Sequence, residues 1–323
     1  MITETEALEK TLKVALVGPP NVGKSTLVNA IIGQKIAITT HKPQTTRSST
    51  LGILTQGNLQ VVLADTPGIF EPRKNHKLEK FIVNNAIKTI GRTDLILLLV
   101  DAYIVVKIAA GEIDDRMMSR ISMYHEAMKI LLTSQAKKKI IIVANKSDTL
   151  EDKTALEDLS EDAIELVYNT ILNDKYLSDD KKIIPVSALA AFNIDGLIAA
   201  IEPYAKNKPW EFDPEQFTDI SERALAEEIT REKLYLVMHA EIPYSVKIDT
   251  DSWQEQPDGS FAIHQSIIVL KESQKQMIIG AGGRMMKVIG ERARLAITDA
   301  LSVPVHLFLH VKVRADWIEK LKV

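Results

Sequence analysis

Gly18-Pro19-Pro20-Asn21-Val22-Gly23-Lys24-Ser25 is the stretch on which the reading of the fold turns. It matches G-x-x-x-x-G-K-S/T, and it lies between an apolar β-branched run at 12–17 and a helix-patterned run at 24–32. A strand that passes into a helix through such a loop aims backbone N–H groups at phosphate. Glycines let the chain curl closely, and the helix N-terminus carries partial positive charge. Lys24 would then reach β- and γ-phosphates, and the Ser25 hydroxyl would ligate Mg²⁺. Residues Gly18, Pro19, Pro20, Asn21, Val22, Gly23, Lys24, Ser25 and Thr26 are the candidate phosphate cradle. On its own this loop suits an ATPase or a nucleotide kinase equally well.

Working outward, further apolar runs fall at 61–64, 95–100, 140–144 and 183–186, with helical stretches near 76–90, 114–132, 159–172 and 194–201. Strands with almost no polar alternation belong inside a mostly parallel sheet covered on both faces. Gly57-Asn58 between two strand-like runs is a two-residue hairpin turn, so one antiparallel strand is expected in that sheet. The fold class is α/β: a P-loop domain over 10–205 with a mixed, mostly parallel sheet.

Three more motifs follow in order. Asp65-Thr66-Pro67-Gly68 ends a strand, setting an acid near a Mg²⁺ shell and the Gly68 N–H near a γ-phosphate. Asn145-Lys146-Ser147-Asp148 follows the run at 140–144. A carboxylate at Asp148 accepts two hydrogen bonds from guanine N1–H and its exocyclic amine, which adenine does not offer, while the Lys146 stem lies along the purine. Ser187-Ala188-Leu189 ends the next strand and presents a backbone N–H to the guanine oxygen. Together these resemble the motifs of translation-factor-related GTPases.

That resemblance extends to Thr45-Thr46-Arg47 as the first switch, with Thr46 and then Thr45 as the threonine that closes onto Mg²⁺, and to 71–77 as the second switch. The metal ligands would be Ser25, Thr46 and Asp65; the catalytic set would be Lys24, Thr46, Asp65, Gly68 and Asn21. Ile69 stands where Ras-like enzymes carry a water-orienting Gln, so slow intrinsic turnover is expected, about 10⁻⁴–10⁻³ s⁻¹. Asn21 resembles the asparagine with which related GTPases hold K⁺. Arg47, Arg73 and Arg92 are alternative cations in cis, each more simply a surface residue.

Beyond 201 the pattern changes. Pro203, Pro209 and Pro214 mark a linker at 206–218, and 211–232 holds eight acids against Arg223 and Arg231. A second domain at 219–323 reads helix, strand, strand, two short helices, strand, with Asp258-Gly259 as its hairpin turn. Ile279-Gly280-Ala281-Gly282-Gly283-Arg284 matches the G-x-x-G loop of KH domains, where a side chain would block the nucleic-acid backbone. Residues 271–294 carry six basic side chains, including Arg284, Lys287 and Arg294, against Glu272 and Glu291. Within a chain of net charge −3 this is the footprint of a phosphate backbone. No aromatic residue interleaves with the segment, so an aliphatic groove reading about four nucleotides is expected.

The element order is that of an α+β type II KH domain. A GTPase domain followed by this domain resembles the Era family of ribosome-assembly GTPases, most specifically at 18–27, 44–47, 231–246 and 274–290. The resemblance implies GTP/GDP and Mg²⁺ as cofactors and binding to the 3′ end of small-subunit (16S) rRNA. It also implies a role in late small ribosomal subunit assembly, and a cytoplasmic monomer with peripheral membrane association in part of the family. The alternative is a membrane-associated GTPase whose RNA binding is secondary.

Composition trims the remaining classes. At 323 residues, 46% hydrophobic and 26% charged, the chain has the balance of a globular protein of two domains. The absence of Cys removes disulfides, thiolate metal sites and Cys nucleophiles. Glu4, Glu6 and Glu9 are unlike a targeting peptide, and the apolar runs are too short to span a membrane. His306 and His310 share a strand face without a third ligand.

Overall fold

Apolar runs that lack alternation become interior strands, and the computed structural model shows where they lie. It describes residues 8–40, 46, 49–74, 76–133, 138–152, 154–172, 180–238 and 245–319. Residues up to Ile36 and from Thr46 to Asp219 form one unit; 37–40 and the chain from Ile220 form another.

The first unit runs β1 (Lys10–Val17), α1 (Lys24–Ile32), β2 (Thr50–Gln56), β3 (Leu59–Asp65), α2 (Lys77–Gly91), β4 (Leu95–Asp101), α3 (Ala102–Ala109) and α4 (Asp115–Thr133). It continues with β5 (Lys139–Asn145), α5 (Glu161–Leu172), β6 (Ile183–Pro185), α6 (Ile194–Ile201) and β7 (Lys206–Asn207). The strand order is β2-β3-β1-β4-β5-β6, with β7 also on β1. All pairs from β3 to β6 are parallel; β2 is antiparallel to β3 through the Gly57-Asn58 turn. The register sets Leu16 beside Asp65 and Asp101 beside Asn145, so the carboxyl ends of the strands form one row. In open parallel sheets that row is where ligands bind.

Alternate residues feed two cores. Ala15, Val17, Ile96, Leu98 and Val100 face one apolar cluster, and Leu12, Val14, Leu16, Leu97 and Leu99 the other. Each fully buried side chain of this size stabilises the fold by about 1.5–3 kcal/mol.

Ala102–Ala109, to which the sequence patterns assign no element, is a helix although Ile104-Val105-Val106 carry β propensity. Asp101 caps it by accepting the Tyr103 N–H at 3.2 Å, and Ala102, Ile104, Val105 and Ile108 are all buried, so packing outweighs β propensity. The expected linker at 206–218 lies hydrogen-bonded along the first unit. β4 pairs with β1 only from Val14, and β7 takes up Lys10 and Thr11 on that same edge. Farther on, Trp210 Nε1 donates to the Asn58 carbonyl at 3.2 Å, and Thr218 bridges to Gly52.

Gln60, fully buried, is the centre of this strap. Its Oε1 accepts the N–H groups of Glu211 (2.9 Å) and Phe212 (3.1 Å), and its Nε2 donates to the Phe212 carbonyl (2.9 Å).

The second unit holds α7 (Glu222–Val237), β8 (Lys247–Glu255), β9 (Phe261–Val269), α8 (Glu272–Ile279), α9 (Arg284–Leu301) and β10 (Val305–Val313). Its sheet order is β10-β9-β8, with β10 parallel and β8 antiparallel to β9. The expected pair of short helices is one short and one long, since α9 spans 18 residues. Ile289, Ala293 and Ile297 of α9 are buried, and Ile289 packs with Leu234, Ile267 and Ile278. Ser221 caps α7 by accepting the Ala224 N–H at 3.3 Å. Residues 37–40 join this unit where the Thr39 N–H donates to Glu232 Oε1 at 2.9 Å.

Replacing Gln60 by Leu removes the partners of two backbone N–H groups and a carbonyl in a part-buried contact. We expect a loss of about 2 kcal/mol in urea unfolding, with hydrogen-exchange protection stripped from the amides of Glu211 and Phe212. Unchanged protection at those two amides would show that the strap is held by other contacts.

Candidate functional site

The loop between β1 and α1 is bent by residues with positive φ: Gly18 at 152°, Asn21 at 64° and Gly23 at 99°. A Cβ on Gly18 would sit 2.8 Å from the Leu99 carbonyl, and one on Gly23 would sit 2.3 Å from Asn145 Nδ2. Both glycines are therefore required for space as well as for conformation. Inside the loop Lys24 is almost fully buried, its Nζ donating to the carbonyls of Gly18 (2.9 Å) and Pro19 (3.1 Å). Burial lowers its pKa to about 8, against the opposing pull of Asp65.

The three expected metal ligands meet. Ser25 Oγ donates to Asp65 Oδ2 at 2.6 Å, and Thr46 Oγ1 lies 3.2 Å from Ser25 Oγ and 3.4 Å from Asp65 Oδ2. Asp65 is carried there by the β1–β3 register. Two hydroxyls and one carboxylate form a hard oxygen set of the kind that suits Mg²⁺, which keeps waters and phosphate oxygens for its remaining positions. A Cβ on Gly68 would meet the Pro20 ring at 3.3 Å, which places the two loops against one another. Thr66 does not face this cluster, because its hydroxyl donates to the Leu16 carbonyl at 2.6 Å. Thr45 and Arg47 lie outside the described residues.

The other end of the row is equally built. Asn145, buried, donates through Nδ2 to the Val22 carbonyl (2.8 Å) and accepts the Ala188 N–H at Oδ1 (3.0 Å), joining the phosphate loop to the segment after β6. Ser187 Oγ donates to Asp148 Oδ1 at 2.5 Å, holding one side of a carboxylate that is otherwise exposed. Lys146 has φ 68°, a left-handed conformation that is uncommon for a residue with a side chain. Leu189 is 82% exposed.

Ile69 is buried in the apolar cluster beside β4 and α3, so no hydrogen-bonding group replaces a Gln at that position. Arg73 is bound to Glu79, which accepts its backbone N–H (2.9 Å), Nε (3.0 Å) and Nη2 (2.6 Å). Burial pushes the Glu79 carboxyl up, but these bonds together hold it below its usual value. Arg92 caps the C-terminus of α2.

In the second unit the G-x-x-G loop joins α8 to α9. A Cβ on Gly280 would lie 2.6 Å from Met285 Cγ, so this glycine is packed. Gly282 (φ 60°) and Gly283 (φ 77°) face open space, leaving their backbone approachable. Arg284 Nε donates to the Ala281 carbonyl at 3.3 Å, while Lys287 and Arg294 are exposed on α9 and Ile279 is partly covered. Two features escaped the sequence reading. Phe308 of β10 is half-exposed and stacks on His264 with centroids 4.5 Å apart, a pairing that only the β9–β10 register creates. Asp101 meets Lys146 and Arg120, with no motif to announce it.

Comparisons with known proteins agree on both units. Residues 13–146 match the 50S ribosome-binding GTPase family and residues 241–318 match the KH domain family. The chain is 39% identical over 317 residues to GTPase Era of Brucella suis biovar 1, covering 97% of this chain and 92% of that one. It is 40% identical over 304 residues to GTPase Era of Mesorhizobium japonicum, covering 94% and 88%. Among solved structures, Era in complex with MgGDPNP and nucleotides 1506–1542 of 16S ribosomal RNA superposes with TM-score 0.80 at 33% identity, covering 97% of this chain and 96% of that one. A point variant of Aquifex aeolicus Era bound to GDP.AlF4− gives 0.78 at 32% identity, with 96% of each chain covered.

The lowered Lys24 pKa sets a pH dependence. Below pH 8 Lys24 is charged in folded and unfolded protein alike, and the fold carries the full cost of burying it. Between 8 and 10.5 only the unfolded chain keeps the proton, so the nucleotide-free protein gains stability as pH rises. Phosphates favour the ammonium, so GDP binding should take up a proton there and weaken about fourfold from pH 7.0 to 8.5. Calorimetry in two buffers of different ionisation heat measures that proton; a flat affinity with no proton uptake would place the Lys24 pKa well above 8.

Proposed function

This chain belongs to the Era family of GTPases, and we propose that it is a GTP-switched protein that binds the single-stranded 3′ end of 16S rRNA during late small-subunit assembly. One combination within a single chain carries this reading: a phosphate and metal cluster built from Ser25, Thr46 and Asp65 in one unit, and open glycine backbone at Gly282 and Gly283 in the other. The RNA identity follows the Era structure solved with nucleotides 1506–1542 of 16S ribosomal RNA.

In this reading Lys24 supplies the cation for the β- and γ-phosphates, and the backbone of 18–25 supplies the donors. Ser25, Thr46 and Asp65 would hold the Mg²⁺, which when bound would neutralise charge on the phosphate oxygens. Thr46 belongs to the loop that closes in the GTP state, so its bonds to Ser25 and Asp65 are the contacts through which nucleotide state reaches that loop. Asp148, steadied by Ser187, selects guanine, and Ala188 and Leu189 border the base. Ile69 is buried and has no group with which to orient water, so another group must position the water or neutralise charge, and Asn21, left-handed and exposed at the bend of the loop, would help bind a K⁺ that does so. Ile279, Gly280, Ala281, Gly282, Gly283, Arg284, Lys287 and Arg294 form the RNA contact. The protein works as a cytoplasmic monomer. No helix among the described residues is long and apolar enough to cross a membrane.

Gly282→Asp places a carboxylate where the RNA backbone must approach, in a left-handed position that Asp tolerates. Affinity for a short RNA of the small-subunit 3′ end should fall at least about tenfold while GDP binding holds; equal RNA affinity would remove the loop from the interface. Turnover in KCl should exceed that in NaCl, and matched rates would end the role given to Asn21.

A further inference from the structure

Asp101 sits at the carboxyl end of β4, beside Asn145 in the sheet register, and the motifs give it no role. Its Oδ1 caps α3 through the Tyr103 N–H at 3.2 Å. Its Oδ2 accepts hydrogen bonds from two cations, Lys146 Nζ at 3.3 Å and Arg120 Nη2 of α4 at 3.0 Å. The Asp101 side chain is 13% exposed, against 38% for Lys146 and 42% for Arg120, so the carboxylate is the enclosed member and the two cations reach it from more open positions. α4 reinforces this point, since the buried Tyr124 bonds the Asp101 backbone.

Lys146 would have to lie along a purine, and a lysine stem has many rotamers of similar energy. A carboxylate that captures the ammonium removes most of them before the base arrives. We propose that Asp101 is a positioning residue for the guanine site: it fixes the Lys146 ammonium so that the stem is laid out for the purine, and Arg120 and Tyr124 fix Asp101. This inference rests on the guanine-nucleotide reading of the site. The same helix also provides Glu126, whose Oε1 accepts the Glu71 N–H at 2.5 Å in the segment after Gly68. α4 therefore holds a residue at the base end and another in the second switch.

Asp101→Asn keeps the helix cap, because Asn caps as well as Asp does, while removing the charge; a melting curve run beside the release assay measures the stability lost with the Arg120 pair. The readout is release of a fluorescent GDP analogue by stopped flow from the full chain. The expected result is release about fivefold faster in Asp101→Asn, a modest factor because the pair is partly exposed. Asp101→Glu, which keeps the charge, should recover part of the loss. In a Lys146→Met background Asp101→Asn should add nothing, since its effect runs through the lysine. Unchanged release in Asp101→Asn, or the same factor in both backgrounds, would overturn the inference while leaving the guanine site intact. Normal GDP release in Lys146→Met alone would overturn the guanine reading, and this inference with it.

Discussion

Burying the Lys24 ammonium is the constraint on which the first unit depends. A desolvated cation needs acceptors at fixed distance, and here they are the carbonyls of Gly18 and Pro19. Those carbonyls point inward only because the chain bends through Gly18, Asn21 and Gly23 in conformations that ordinary residues rarely adopt. The bend packs so tightly on Asn145 and on the Leu99 carbonyl that β4 and β5 must be in register beside it. Asp65, which favours the ammonium, arrives from β3 through a third register. A parallel sheet with long buried strands is what can hold three such loops in one row, so the fold and the cation require each other.

The parts of this arrangement that were legible in the sequence are those where a residue type has a single physical use. A spaced glycine pair followed directly by a lysine between strand and helix, an Asp at a strand end and an Asn-Lys-x-Asp run each narrow the chemistry. Ala102–Ala109 was not legible because Ile104, Val105 and Val106 carry the same pattern for a buried helix as for a buried strand, and the Asp101 cap together with the packing of Ala102, Ile104, Val105 and Ile108 decides. The strap at 206–218 was not legible for a different reason. Its anchors are backbone groups meeting Gln60, and a lone Gln between two strand residues looks like any polar break. Asp101 and the Phe308–His264 pair depend on register, which no local pattern encodes.

The two units use glycine for opposite ends. In the first, added Cβ atoms would collide with protein, so Gly18 and Gly23 serve packing. In the second, Gly282 and Gly283 meet nothing within 4 Å, so their bare backbone serves whatever comes from outside. A ligand can shift a conformational equilibrium only through differential contacts. Within the cluster of Thr46, Ser25 and Asp65, Thr46 is the member carried on a loop rather than on the sheet or α1, so a contact there can differ between conformations.

Ile69 shows that the absence of a water-orienting Gln at this position is built into the packing. It is buried in the cluster that includes Ile104, Val105 and Met117, so its place is filled by contacts from α3 and α4. A Gln there would bury an amide without partners, at a cost of roughly 1–3 kcal/mol, before it could orient any water. The apolar anchor also bears on the chain that follows, where Glu71 is held by Glu126 and Arg73 by Glu79. Fixing that segment to the body of the unit keeps Arg73 on a carboxylate and away from catalytic use in this state. The bend at Asn21, left-handed and exposed, is the part of the phosphate loop most open to solvent.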